Sequence, residues 1–592
     1  MKYSDQLVTW LSELGYTHCF FVAGGNIMHL LESCSHKFTC VPVVHEVAAG
    51  IAAEYFNEVS TEGRAFALVT AGPGLTNIVT AMAGAYLESR ELLVIGGQVK
   101  VGDLARGQVR QRGIQEIDGV SIARSVTVTS AIIDKTVDRF TFTRLAESGS
   151  HGRKGPVFLE LPLDIQGAKV AEPEVKAPSA NASEPTFEII SESVLNEIES
   201  RLRHAKRPVL LIGGGIDRST SERVLDRLAH LGIPLMATWN GIDRIPEDHP
   251  MFFGRPNTWG QRSANILMQQ SDLLIALGTR LGLQQTGFNW QQFIPLGQVI
   301  QVECDRKELE KGHPKVALPI SGDANVVLEF LSQQTDLPGY SEWVAFCRKV
   351  RSMIALNDPA NCTGEGFISP YDFCLKLSDV CNSGDVVIPC SSGSANTVMM
   401  QAFRVKRGQR VFNDKGLASM GYGLGGAIGA AFAANGRRTI LVEGDGGFIQ
   451  NLQELGTVSV NKLNLKMFIF DDNGYASIRM TQKNYFGGRY IGCDTATGLG
   501  IPKWDNLFAA YDIPLQTLRP GFDVETAFLN AMNSPGPAAF LVKIDPQQTY
   551  FPKISSRVTP SGGMESNPLH FMSPDLDETT ASEVFRYLRA QQ

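Results

Sequence analysis

The chain reads EGDGGFIQNLQEL from Glu443 and, 28 residues after Asp445, reaches Asn473 within FDDNGYASI. Side chains of these types at this spacing can hold a magnesium ion against a diphosphate. Mg²⁺ takes near-octahedral oxygen ligands, one or two from side chains and the rest from phosphate and water. Asp445 supplies a carboxylate, Asn473 an amide oxygen and Tyr475 a main-chain carbonyl. Gly444, Gly446 and Gly447 let the backbone come close to phosphate oxygens. A GDG tripeptide by itself reads as a turn. Here the apolar run Thr439–Val442 precedes one ligand and LKMFIF precedes the other. Both ligands therefore sit at the ends of neighbouring buried strands, where open α/β sheets place what they bind.

The elements that must hold such a site are legible along the whole chain. Apolar runs such as CFFVAG, FALVT, LLVIGG, VLLIGGG, LLIALG, TILVEGDG and MFIFDD alternate with helical patterns. That alternation predicts an α/β protein of doubly wound parallel sheets with helices on both faces. A length of 592 residues exceeds one core. Two linker-like stretches, 168–185 and 357–366, divide it into expected domains 1–170, 186–345 and 366–550, followed by a tail, 551–592. The tail is rich in proline and polar residues, yet its Phe, Met and Leu predict packing, as an active-site cover. The composition is that of an ordinary enzyme, 43% hydrophobic and 19% charged. A net charge of −7 without a basic block excludes nucleic acid as the expected partner. Ten scattered cysteines argue against zinc and against a disulfide framework, and suit a reducing cytoplasm. The N-terminal MKYSDQLVTWLSELGY reads as an amphipathic helix rather than a signal peptide. No run of about 18 apolar residues predicts a membrane span. The stretch GYGLGGAIGAAFAA is short and glycine-rich, which predicts tight helix packing.

The GDG-to-Asn pattern resembles that of thiamine diphosphate enzymes, GDG followed by a paired NN. Asp472 stands where the first Asn is usual, and Asn473 keeps the second. The resemblance implies a pyrimidine-binding, a central and a diphosphate-binding domain. Such a protein must hold the diphosphate, bend the cofactor and set a carboxylic acid against its aminopyrimidine ring. VVHEVAAGIAAEYF offers the acid: Glu46 follows an apolar strand and opens an alanine-rich helix. Alone, it reads as a first-turn Glu favoured by the helix dipole. The acetolactate-synthase-like family carries its catalytic Glu in RHEQGAA, which assigns that role to Glu46 and argues against the glyoxylate carboligase branch. TAGPGLTN, with Pro73 and Asn77, resembles the family's SGPGATN. IQEIDGVSIARSVT resembles FQETPIVEVTRSIT and carries Gln115 over as a substrate-side residue.

NDKGLASMGYGLGGAIGA resembles the synthase motif GGLGTMGFGLPAAIGA, so Met420 is expected under the bent cofactor. PCSSGSANT lacks the Gln and His of the family pattern, leaving Gly393 and Ser394 as its diphosphate contacts. In the middle of the chain RPVLLIGGGI, LLIALGTRL, VIQVECD and ISGDANVVL resemble an FAD-binding domain. The resemblance gives Gly214, Gly215, Gly278, Arg280, Asp305 and Asp323 as flavin contacts, with FAD structural rather than redox-active.

Two departures bear on the substrate. Gln284, in GTRLGLQQTG, replaces an Arg that binds the acceptor's carboxylate in the family. Gln cannot offer the charged fork of a guanidinium. Gln482 replaces a Trp that selects the acceptor. An insertion around Arg106–Arg112 has no counterpart in the pattern. The resemblance, tail included, implies decarboxylation of pyruvate and ligation of the two-carbon unit to a ketone, such as a keto-sugar nucleotide. Alternatives are an acetolactate synthase joining two 2-keto acids, a flavin-redox enzyme of the pyruvate oxidase kind, and an inactive cofactor-binding subunit. The last sits badly with an intact Glu46, Asp445 and Asn473. A homodimer or homotetramer with a shared active site is also implied.

Overall fold

The computed structural model describes residues 1–171, 187–390, 392–558 and 561–589. Of the expected linker 168–185, residues 172–185 lie outside the described residues. Three parallel sheets carry the fold. The chain clusters into two units, one comprising Met1–Glu184, Gly384–Asn396 and Phe412–Lys543, the other Pro185–Ser383, Thr397–Val411 and Ile544–Gln592.

The first unit holds two of the sheets. One runs in the spatial order Thr39–Pro42, Tyr16–Phe21, Arg64–Val69, Leu92–Gln98, Pro156–Pro162, Thr129–Ile132, all parallel. The other includes Val386–Ile388, Thr439–Gly444, Leu465–Asp471, Ala538–Lys543 and Leu515–Leu518, again all parallel. These five strands take the same chain-order arrangement as five strands of the first sheet, with the last two exchanged in space. Identical connectivity in segments of dissimilar sequence follows from the same alternation of buried strand and covering helix.

Between the two sheets the helix Glu46–Val59 packs on the helix Tyr422–Ala433. Glycine sets how close they come. A Cβ on Gly429 would fall 2.0 Å from the Ala52 carbonyl oxygen, and one on Gly426 would fall 2.8 Å from the Tyr55 ring. The expected tight helix packing is thus a backbone-to-backbone contact. Gly429→Ala gains helix propensity but must push a carbonyl aside. The clash wins, and stability read from urea unfolding is expected to fall by about 2 kcal/mol. Beside this contact lies a buried polar knot. Glu54 accepts from Arg90 Nη1 at 2.9 Å and from the Tyr422 hydroxyl, and Arg90 also donates to the Asn413 carbonyl at 2.7 Å. Arg90 and the tyrosine satisfy a carboxylate that burial would otherwise make costly.

The strand Pro156–Pro162 contributes a second buried carboxyl. Glu160 accepts from Gln98 Nε2 at 3.1 Å, and burial, with Asp118 and Glu116 nearby, pushes it up to about 8. Its folded-state value exceeds the unfolded one, so the folded chain keeps a proton that the unfolded chain releases. Stability from this group therefore falls as pH rises from about 4.5 to 8. Glu160→Gln is expected to match the parent near pH 4 and to exceed it by about 1–3 kcal/mol at pH 8.5, read from urea unfolding at both values.

The second unit is built on a sheet ordered Leu318–Ser321, Gln298–Glu303, Leu273–Leu277, Pro208–Ile212, Leu235–Ala237, also parallel. It extends beyond the expected 186–345. Tyr371 is buried and donates to the Phe551 carbonyl at 2.8 Å, and Gly364 N donates to Asp545 at 2.8 Å, which ties these later segments to it. The tail packs here too. Leu569 and Met572 are buried. Gln270 donates to the Val584 carbonyl at 2.8 Å and accepts from Tyr587 N at 2.9 Å. Among the described residues no helix is long and apolar enough to cross a membrane.

Candidate active site

Glu46 is the first residue of its helix, and His45 caps that end by accepting from Val47 N at 3.2 Å. The carboxyl is buried, 8% exposed, and among the described residues accepts one hydrogen bond, from Asn77 Nδ2 at 2.9 Å. Asn77 stands on the helix Pro73–Glu88, which Pro73 opens after Gly72 turns the chain at φ +65°. Two motifs thirty residues apart in the sequence thus meet at one oxygen. Gln115 lands against the same turn, since a Cβ on Gly72 would lie 2.5 Å from the Gln115 carbonyl oxygen. Gln115 itself holds φ +62°, an uncommon conformation for a residue with a Cβ. The approach to Glu46 is also fixed from far along the chain. Glu454 accepts from Val44 N and His45 N at 3.1 and 2.9 Å. Sequence reasoning missed Glu454, because nothing local marks a carboxylate that grips a strand end some four hundred residues away.

The second cluster lies at the ends of the strands Thr439–Gly444 and Leu465–Asp471. Asp445 is fully buried. Its two oxygens accept from Gly446 N at 2.6 Å and Gly474 N at 2.9 Å, so the carboxylate bridges the two loops. Burial first, then the charges of Asp472 and Asp471, push Asp445 well above the ordinary carboxylate range. A dry carboxylate whose bonds among the described residues are only backbone amides suits a divalent cation. Asn473 holds φ +66°, and its Oδ1 accepts from Thr495 Oγ1 at 2.9 Å. A Cβ on Gly446 would strike the Tyr475 ring at 2.4 Å, and one on Gly474, at φ +124°, the Cys493 carbonyl at 2.4 Å. These glycines permit the two loops to close on each other. Among the described residues no group of three His, Cys, Asp or Glu could hold a metal, as befits a set of one carboxylate, one amide and one carbonyl.

The departure at Asp472 is compensated seven residues on. Arg479 donates to the Asp472 carboxylate at 3.2 Å, to its carbonyl at 2.6 Å and to the Asn473 carbonyl at 3.1 Å, and both side chains are buried. The guanidinium ties down the loop that presents Asn473. Met420 precedes the helix Tyr422–Ala433 and is 39% exposed, high for a thioether and suited to a ligand above it. Gly393 has φ +75° with open space around it, Ser394 beside it is half-buried, and Gly447 is half-buried against Glu443. Gln482, on the helix Ala476–Tyr485, spends its amide on its own chain. It donates to the Ile491 carbonyl at 3.2 Å and accepts from Ile491 N at 3.0 Å. Among the described residues no hydrogen bond or ion pair joins Glu46 to the Asp445–Asn473 pair.

In the second unit the glycine candidates meet at the point where strand order reverses. Gly215 N donates to the Gly278 carbonyl at 2.9 Å, and a Cβ on Gly215 would lie 2.9 Å from Gly278 Cα. Asp305 and Asp323 cap helices, accepting from Lys307 N and Asn325 N, each at 2.9 Å. The Arg280 carbonyl accepts from Lys311 Nζ. Gln284 lies in the short helix Leu283–Thr286, its carbonyl accepting from Thr258 N at 2.9 Å.

Comparison with known proteins agrees with this geometry. Residues 1–122 match the thiamine pyrophosphate enzyme N-terminal TPP binding domain, 195–331 the central domain and 391–542 the C-terminal TPP binding domain. The chain is 30% identical over 511 residues to acetolactate synthase of Mycobacterium bovis, covering 83% of this chain and 80% of that one. It is 28% identical over 562 residues to the acetolactate synthase isozyme 1 large subunit of Escherichia coli, covering 93% and 95%. A probable acetolactate synthase large subunit of Methanocaldococcus jannaschii is 28% identical over 579 residues, covering 96% and 95%. With three matched domains, a buried acid on the first and a paired-loop carboxylate on the third, the chain belongs to the thiamine pyrophosphate enzymes, as an acetolactate-synthase-like, thiamine diphosphate-dependent carboligase.

Proposed function

We propose that the enzyme decarboxylates pyruvate and joins the two-carbon unit to a carbonyl acceptor, with Mg²⁺ holding the cofactor diphosphate. The observation that carries this reading is the buried Glu46–Asn77 hydrogen bond at 2.9 Å. Thiamine diphosphate supplies the electron sink for breaking one carbon–carbon bond and making another. Glu46 would hold a proton against the aminopyrimidine ring, with Asn77 on its other oxygen fixing the carboxyl's orientation. Asp445, Asn473 Oδ1 and the Tyr475 carbonyl would hold the cation. Gly446 and Gly447, whose lack of side chains lets the backbone come close, would face phosphate oxygens, and Pro73, Gly393, Ser394 and Met420 would complete the cradle. Gln115 lines the substrate side.

The names of the relatives favour a 2-keto acid acceptor at least as well as any other. A ketone without a carboxylate is the second reading. Gln284 favours it, since it carries no charge of the kind a carboxylate calls for, whereas the Gln482 amide is already bonded to Ile491. Incubation with pyruvate, thiamine diphosphate and Mg²⁺, with and without added 2-keto acids or neutral ketones, separates the two by product mass. A healthy rate of acetolactate from pyruvate alone supports the first, and acceleration only by other ketones the second. If no carbon dioxide leaves pyruvate under any condition, the proposal fails.

We further propose FAD in a structural role on the second unit, at the Gly214, Gly215, Gly278, Arg280, Asp305 and Asp323 that the resemblance suggests. The glycine pair is already explained by backbone packing, so a visible spectrum of the purified protein decides the point. A cytoplasmic homodimer or homotetramer fits best, with Glu46 of one subunit facing the diphosphate site of another.

A further inference from the structure

Gln115 stands in an unusual backbone state. Its φ is +62°, a region that a residue with a Cβ keeps only where its surroundings hold it there. On one side its carbonyl oxygen rests against Gly72, where a Cβ would come within 2.5 Å. On the other side stands Glu116, 6% exposed, with every polar group engaged. One carboxyl oxygen accepts from Ala105 N, and the other accepts from Arg112 N at 2.9 Å and Gly113 N at 3.1 Å. Its own N–H donates to the Gly113 carbonyl at 3.2 Å, and its carbonyl accepts from Gln111 Nε2 at 3.4 Å. Burial alone would raise this carboxyl, but the three amides and Arg112 hold it below the usual range. One residue further on, the Ile117 carbonyl accepts from Gln98 Nε2 at 3.0 Å, and Gln98 is itself 1% exposed.

The arginine-rich insertion thereby gains a use that does not depend on its charges. Ala105 at one end and Arg112 with Gly113 at the other are the points that Glu116 clasps. Arg106, at φ +48°, and Gly107, at φ +75°, make the sharp turn between them. The closed loop is a backbone strut, and the segment Gln115–Ile117 is braced against it.

The side chain that this bracing holds has no partner in its own chain. Gln115 is exposed, and among the described residues its amide makes no hydrogen bond. If the turn served the fold alone, glycine would suit it better, since glycine takes positive φ without strain. A strained residue braced on both flanks, with an unbonded amide, fits a group held ready for something outside the chain. An amide offers both a donor and an acceptor, which suits a carbonyl or hydroxyl oxygen. The turn it rests on opens the helix Pro73–Glu88, whose Asn77 donates to Glu46.

We infer that Glu116 is a positioning residue: by clasping the insertion it holds Gln115 in the left-handed conformation that presents its amide to the substrate. This rests on the carboligase reading above. The test is a double-mutant cycle of Glu116→Gln and Gln115→Gly, read as kcat and KM for pyruvate with thiamine diphosphate and Mg²⁺ bound. Glu116→Gln leaves one acceptor oxygen where the loop uses two. It is expected to raise KM about tenfold, with little change in kcat or in thiamine diphosphate affinity, as loss of one substrate hydrogen bond implies. Gln115→Gly is expected to raise KM as much without lowering the urea midpoint. The double variant should be no worse than Gln115→Gly alone, because the glutamate acts only through the glutamine. Hydrogen exchange, which needs no turnover, reads the clasp itself: segment 105–113 should exchange faster in Glu116→Gln than in the parent. Should that variant not fold, Glu116→Asp, a methylene shorter and able to hold one end at most, takes its place. An unchanged KM in Gln115→Gly, KM effects that multiply in the double variant, or unaltered exchange of segment 105–113 overturns the inference. Absence of carbon dioxide release by the parent defeats the carboligase reading, and with it the role given to Gln115, while exchange still decides the clasp.

Discussion

Glu46→Gln is expected to lower kcat for pyruvate decarboxylation by about 10³-fold, in the range that a positioned acid–base group supplies. That corresponds to roughly 4 kcal/mol of barrier. The amide keeps the shape and can still accept from Asn77, so the helix Glu46–Val59 and its packing should persist. Cofactor affinity should therefore change little, because in the proposed site the carboxyl would face the ring and not the diphosphate. Stopped-flow carbon dioxide release, together with a thiamine diphosphate titration, separates the two quantities. Retention of full turnover by this variant would remove Glu46 from the mechanism. An Asn77→Ala variant should fall between it and the parent, since it leaves the acid in place but frees its orientation.

Asp445→Asn is expected to abolish Mg²⁺-dependent cofactor retention, weakening thiamine diphosphate by about 100-fold or more, as loss of a charged metal ligand implies. Its effect on the fold is smaller, because two changes oppose each other. Asp445 is fully buried and its carboxyl is pushed well up by burial and by Asp472 and Asp471, so a neutral amide removes the cost of a buried charge. The amide, however, offers one acceptor oxygen where Gly446 N and Gly474 N use two, and leaves one of those donors unpaired. The cofactor-free variant should melt near the parent, and should lose the rise in melting temperature expected of the parent with cofactor and Mg²⁺. A variant that is simply unfolded would show neither result. Mixing the Glu46 and Asp445 variants after dissociation tests the shared site: recovered turnover in the hybrid places the acid and the metal loop on different subunits.

Much of this site could be read without coordinates. Asp445 and Asn473 stood out because each follows a buried strand, and the period of such strands is local. The three parallel sheets followed from the same alternation. The exposure of Met420 and the close approach at Gly446 likewise accord with motifs confined to a few residues. What was not legible depends on distance along the chain. Glu454 gripping Val44 and His45, Tyr422 meeting Glu54, and Arg479 replacing the stabilisation lost at Asp472 each need the fold to bring partners together. The reading of Gln482 as a substrate contact meets a side chain already bonded to Ile491 at both ends. Its position in a motif could not reveal that a neighbouring loop would claim its amide.

The sequence by itself determined the cofactor class and the layered α/β architecture, because strand burial, glycine turns and metal-ligand spacing are short-range properties. Tertiary structure alone decided how Glu46 is oriented, how the loop carrying Asn473 is tied down and how the arginine insertion is closed. Those depend on single hydrogen bonds between distant residues. A carboxylate such as Glu116 or Glu454 looks the same in a sequence whether it faces water or grips a backbone. Only folding, which removes the water, makes the difference.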